Sequence, residues 1–159
     1  MSGAGGLTAA ARASVAYMNR RKQKKMADKL VWAAMSHDTK QVGALLRAGA
    51  DPDAPDVDGE TPLYAAAVQG ATDNVRRLLA AGASPDAPSA GPGSEGTALC
   101  AAACWGETEV VRELLAGGAD PHLREDNGAG KTPLEWAEAG PHEETAALLR
   151  AAIRPVAVP

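Results

Sequence analysis

The sequence predicts an all-α fold, a solenoid of about four stacked helix-turn-helix repeats, and three observations carry the prediction. Leucine pairs recur at Leu45-Leu46, Leu78-Leu79, Leu114-Leu115 and Leu148-Leu149. Their spacing, roughly 33–36 residues, is the self-similarity that marks a repeat array. Helix starts recur in step with the pairs, as Thr61-Pro62-Leu63, Thr97-Ala98-Leu99 and Thr132-Pro133-Leu134. The apolar mass is aliphatic, with 45% hydrophobic residues but only 3% aromatics and no Phe. Such a composition suits thin, closely stacked helices better than a core built on large rings.

Taken in order, Met1 to Gly6 is a run of small residues with nothing to order it. Residues from Leu7 to Met26 favour helix, and Leu7, Ala11, Val15 and Met18 fall on one helical face. This is read as an extra N-terminal helix lying against the first repeat and carrying the cluster Arg20-Arg21-Lys22-Gln23-Lys24-Lys25. The predicted organisation is a basic, partly helical extension over 1–27, a repeat domain over 28–154 and a tail over 155–159. The repeats fall at about 28–55, 56–88, 89–124 and 125–154. Asp28 is expected to cap the first inner helix, Leu30 to Ala34, where later repeats use threonine. Gln41 to Ala48 is the first outer helix, and Gly49 its left-handed stop.

In the central repeats Thr61 and Thr97 stand at N-cap positions. Pro62 fits a first helical turn because its missing N–H would have no intrahelical partner there. The triplets Ala65-Ala66-Ala67 and Ala101-Ala102-Ala103 let neighbouring helices approach. Leu63 and Leu99 on inner helices are expected to meet Val75, Leu78, Leu79 and Val111, Leu114, Leu115 on outer ones. Trp32 and Trp136 share one repeat position in the first and last repeats, which predicts rings that cover the two ends of the stack. The connection from Gly49 to Thr61 is the shortest, and those from Gly82 to Thr97 and from Gly118 to Thr132 are extended. The last helix is expected over Glu143 to Ala152, ending the array before Pro155.

Thr61-Pro62-Leu63-Tyr64-Ala65-Ala66, closed by Leu78-Leu79-Ala80-Ala81-Gly82-Ala83, resembles the ankyrin repeat family. The same closing pattern recurs over Leu45 to Ala50 and Leu114 to Ala119. The histidine usual after the leucine is replaced by Tyr64, Cys100 and Glu135. The resemblance implies β-hairpin-like finger loops and a concave groove that contact a protein partner. The groove positions it implies are Met35, Ser36, Val68, Gln69, Cys104 and Trp105; the finger positions are Asp58, Glu60, Glu95, Glu125, Asp126 and Lys131. Trp105 leads this set, because tryptophan is enriched among the residues that dominate interface energetics.

The net charge of −4 hides an asymmetry: residues 1–29 hold seven Lys and Arg against one acid, and the remainder nine against nineteen. An acidic body argues for a partner of basic or mixed charge and against nucleic acid, whose binders spread their basic footprint over the fold. The basic cluster is read first as a solvated helix face or frayed tail. Its sharper readings are nucleic-acid contact, a nuclear address or an acidic partner. The acid-free stretch from Met1 to Ala27 also loosely resembles an organellar transit peptide. No apolar run approaches the ~20 residues that span a bilayer, the stretch from Met1 to Asn19 reverses the order of a secretory signal, and two cysteines form no disulfide framework. A soluble, cytoplasmic protein is the expectation.

No cofactor, metal or catalytic constellation is expected. Cys100 and Cys104 share a helix face but lack further ligands in sequence, and buried small hydrophobes are their expected role. His37, His122 and His142 are isolated from one another. Gly128-Ala129-Gly130-Lys131-Thr132 falls short of a phosphate loop, since Glu125 stands where the first glycine belongs. The predicted function is a non-catalytic protein–protein interaction module, an adaptor or regulator. The alternatives are an enzyme or small-molecule binder using a pocket around Trp105, Cys104 and Tyr64, and a nucleic-acid-associated regulator using Arg20 to Lys25.

Overall fold

The computed structural model describes residues 9–92 and 94–153, with backbone alone described for residues 9–18, Ser94, Glu95 and Asn127. Among these residues the regular structure is almost entirely helical: α1 (Ala9–Met35), α2 (Thr39–Arg47), α3 (Pro62–Val68), α4 (Thr72–Ala80), α5 (Ala98–Trp105), α6 (Thr108–Ala116), α7 (Pro133–Ala139) and α8 (Glu143–Ile153). The helices form two rows. Helices α1, α3, α5 and α7 pack one on the next as the inner row, and α2, α4, α6 and α8 do the same as the outer row. Each inner helix also packs on the outer helix that follows it.

Local sequence explains most helix ends. Thr61, Thr97 and Thr132 are extended N-caps whose hydroxyls accept the backbone N–H of Tyr64, Cys100 and Glu135. Glu135 returns the bond to the Thr132 N–H and completes a capping box. Asp38 caps α2 by accepting from the Gln41 N–H. Gly49, Gly82 and Gly118 end the outer helices at φ near +90°. A Cβ at any of the three would meet no atom within 4 Å, so backbone conformation alone, not space, asks for glycine there.

The core is one continuous aliphatic seam between the rows. Leu63 and Leu99 from the inner row meet Val75, Leu78, Val111 and Leu114 from the outer row, all buried, with Leu79 and Leu115 packed at its edge. The alanine triplets of α3 and α5 are buried throughout, which is how the inner helices come close enough to stack. Polar stitches join successive layers. The Asp53 carboxylate accepts from the Ser84 N–H at 2.8 Å, and Asp86 accepts from the Asp120 N–H at 2.9 Å. Asn74, buried in α4, donates to the Ala33 and Ala34 carbonyls at the end of α1.

Three expectations are corrected. The N-terminal helix and the first inner helix are one element, so Asp28 is not a cap: it lies within α1, and its carboxylate accepts from the Val57 N–H at 3.1 Å. The basic stretch continues that helix over the first connection, where Gln23 donates to the Gly49 carbonyl. Trp32 does not cover the end of the stack, being 68% exposed. Trp136 is half-buried instead, with its indole N–H on the Glu125 carboxylate. The finger loops are unlike one another: the second holds a two-stranded antiparallel hairpin, β1 (Ser89–Gly91) with β2 (Ser94–Gly96), and the third a 3-10 turn, Asp126–Gly128. Leu7, the side chains of Ala11, Val15 and Met18 that complete the expected apolar face, and the tail over 155–159 lie outside what is described.

Candidate functional site

The candidate site is a cleft beside α3 and α5, and two successive connections build it. Asp56 organises the first: its carboxylate accepts the backbone N–H of both Asp58 and Glu60, and its own N–H is bonded to the Glu60 carbonyl. The tight turn, with Gly59 at φ +89°, is then fastened to the next connection by the Ala90 N–H on the Gly59 carbonyl at 3.0 Å. The Thr61 N–H reaches the buried Ser89 hydroxyl below it. The two connections therefore hold Asp58 and Glu60 opposite Gly91 and Pro92.

Helices α3 and α5 supply the rest. Tyr64, Val68 and Trp105 complete a cleft of about 480 Å³ with Asp58, Glu60, Gly91 and Pro92. Trp105 ends α5, where Gly106 turns left-handed, and the residue is 62% exposed. Such an aromatic at a concave position is a large apolar surface left in water. Glu60 is half-buried between two like charges. Burial first, then Asp56 and Asp58, push its carboxyl above the usual range.

Of the predicted positions, the cleft brings together Asp58, Glu60, Val68 and Trp105 and no others. Met35, at the end of α1, is half-buried; Ser36 is exposed, its hydroxyl turned back on the Trp32 carbonyl. Gln69 is exposed just past α3. Glu95 pairs with Ala90 across the hairpin backbone, and its side chain lies outside the described residues. Glu125, Asp126 and Lys131 belong to the third connection. Glu125 and Asp126 line a separate recess with Asp86, Leu123 and Arg124, and Lys131 stands 4.2 Å over the Trp136 ring. Cys104 is half-buried and does not line the Trp105 cleft, so the pocket sought around Trp105, Cys104 and Tyr64 forms without the thiol.

The residues that replace the usual histidine have roles that the repeat pattern does not announce. Cys100 points its thiol at the Leu123 and Lys131 carbonyls, 3.9 and 3.8 Å away, so it ties α5 to the third connection. Glu135 binds Arg124 through both oxygens at 2.9 and 3.0 Å. Its carboxyl is held below the usual range by the Thr132 N–H and then by Arg124. Burial pushes the Cys100 thiol up to about 11 and raises that of Cys104 as well. Among the described residues no group of His, Cys, Asp and Glu is arranged to hold a metal ion, and no helix is long and apolar enough to cross a membrane.

A family model for ankyrin repeats, in three copies, matches residues 30–125, more than half of the chain. The chain belongs to the ankyrin repeat family. Its α7–α8 pair lies beyond the matched span and stacks on the ankyrin repeats before it. Ankyrin repeats are in general protein–protein interaction modules and typically not catalytic. A search of curated proteins found none that matches the chain.

Proposed function

We propose that this ankyrin repeat protein is a non-catalytic adaptor or regulator that binds a partner protein through the cleft between its first two finger loops and α3 and α5. One observation carries the reading: Trp105 stands exposed on the inner row, beside Tyr64 and Val68, in a cleft rimmed by Asp58 and Glu60. An exposed indole in a concave surface is the kind of anchor around which protein interfaces concentrate their energy. The acidic rim and the acidic repeat body favour a partner surface of basic or mixed charge. The cytoplasm is the expected place of that encounter.

The test is affinity capture from the native source, comparing wild type with Trp105→Glu and Val68→Glu, each checked by circular dichroism for an unchanged helical spectrum. The expected result is a protein recovered with wild type and lost with both variants. Recovery of the same proteins with all three would remove the cleft from partner binding.

A further inference from the structure

The cleft is small for a whole helix and well sized for one long side chain with its neighbouring backbone; small-molecule sites begin at about 300 Å³. Its walls are of two kinds. Trp105, Tyr64, Val68 and Pro92 supply apolar surface, and Asp58 and Glu60 supply the charge, all of it negative. Asp56 adds a third carboxylate behind them, engaged by backbone N–H groups. Among the described residues neither Asp58 nor Glu60 forms an ion pair, in contrast to Glu113, Glu135, Glu138 and Glu143, which pair with arginines elsewhere.

From this juxtaposition we infer that the cleft takes an arginine side chain from an extended segment of the partner protein, stacked on Trp105 and bonded to Glu60 and Asp58. The inference rests on the interaction reading above and names its chemistry. A guanidinium lies flat on an indole face and is attracted by the ring quadrupole. Its N–H fork can engage a carboxylate at the same time, which the compact ammonium of lysine does less well. The raised carboxyl of Glu60 fits a site whose charge is incomplete, because a cation beside it would favour the ionised form.

The experiment follows the indole N–H signal of Trp105 in a ¹⁵N–¹H spectrum of the full chain, assigned by its loss in Trp105→Phe. The probe is the peptide acetyl-Gly-Arg-Gly-amide, with the citrulline and lysine peptides as controls. The expected result is a saturable shift of the Trp105 signal with the arginine peptide and a weaker response to lysine. Citrulline, which keeps the shape without the charge, should bind at least about tenfold more weakly. Glu60→Gln and Asp58→Asn should each weaken the arginine response several-fold, with the Trp32 and Trp136 signals unchanged to show an intact fold. An unmoved Trp105 signal, or equal shifts with citrulline, would overturn the inference.

Two outcomes separate this inference from the reading beneath it. If capture finds a partner that depends on Trp105 while the arginine peptide moves nothing, the interaction reading stands and the arginine falls. If the Trp105 signal moves with protein concentration alone, and stops when Arg20, Lys22, Lys24 and Lys25 are changed to Gln, the occupant is a second copy's basic helix. That too overturns the assignment to a partner protein.

Discussion

Glu60 shows how one residue carries opposed demands. Folding places it half out of water beside Asp56 and Asp58, and its carboxyl is raised as a result. The folded chain thus holds that proton more tightly than the unfolded chain does. Ionised Glu60 weighs against folding above its folded pKa, and the penalty disappears as pH falls below its ordinary value. Glu60→Gln is therefore expected to raise the urea midpoint modestly at pH 7, with the gain gone near pH 4. A wild type more stable than the variant at pH 7 would contradict this. The same substitution is expected to weaken arginine binding, so stability and recognition should move in opposite directions. Cys100 makes the converse case, a thiol kept inert by burial. With its pKa pushed up to about 11, roughly one thiol in a thousand is ionised at pH 8, far fewer than for an unperturbed cysteine. Alkylation by iodoacetamide should be very slow at Cys100 in the native protein, faster at half-buried Cys104, and equal at both once the chain is unfolded. Rapid native modification of Cys100 would show that the third connection does not cover it.

At the scale of helices, Asn74 is the polar link with the most to lose. It is buried on α4 and donates to Ala33 and Ala34 at 3.3 and 2.9 Å, joining the second outer helix to the end of the first inner one. The matching position on α6 is Val110, so no such link joins α6 to α3. Asn74→Ala leaves the Ala34 carbonyl without that donor and should destabilise by about 1–3 kcal/mol, measured by chemical denaturation. A change within about 0.5 kcal/mol, the scatter of ordinary surface substitutions, would mean that water replaces the amide. Helix ends are uneven in how readily the sequence shows them. Thr61, Thr97 and Thr132 announce themselves because a hydroxyl before Pro or Ala and Leu has one good use there. Asp28 misleads because aspartate is an equally good cap, yet nothing from Met18 to Met35 breaks a helix: no Gly or Pro interrupts it. The inner helix simply runs on backward. Trp32 misleads for a related reason. A large ring at an end position suggests cover for the stack, but Trp32 stands largely in water, while Trp136 finds Glu125 in the connection before α7. The cleft itself was half legible. Repeat position places Val68 and Trp105 on the inner row, but the bond that carries Gly59 to Ala90, and so sets Asp58 and Glu60 against Pro92, spans two connections and has no sequence signature.

Across the whole molecule the helix rows make stability a matter of neighbours. Each inner helix packs on the next inner helix and each outer on the next outer, so among the described helices an interior layer is held from both sides and the α7–α8 layer from one. In such arrays stability is close to a sum of repeat and interface contributions, and the end of the stack opens at lower free energy than the middle. Leu78 in α4 and Leu149 in α8 make a matched pair, for both are fully buried leucines. Each change to alanine removes the same atoms, at about 2–5 kcal/mol for a core leucine. Their consequences should nevertheless differ in reach. Leu149→Ala is expected to speed amide exchange in α7 and α8 while α3 to α6 keep their protection. Leu78→Ala should lower protection through α1 to α6 together, because it weakens the interfaces on both sides of its layer. Hydrogen–deuterium exchange read by peptide distinguishes the two patterns. Uniform loss of protection in both variants would show that the four layers unfold as a single unit, with the α7–α8 pair as firmly held as the layers that form the Trp105 cleft.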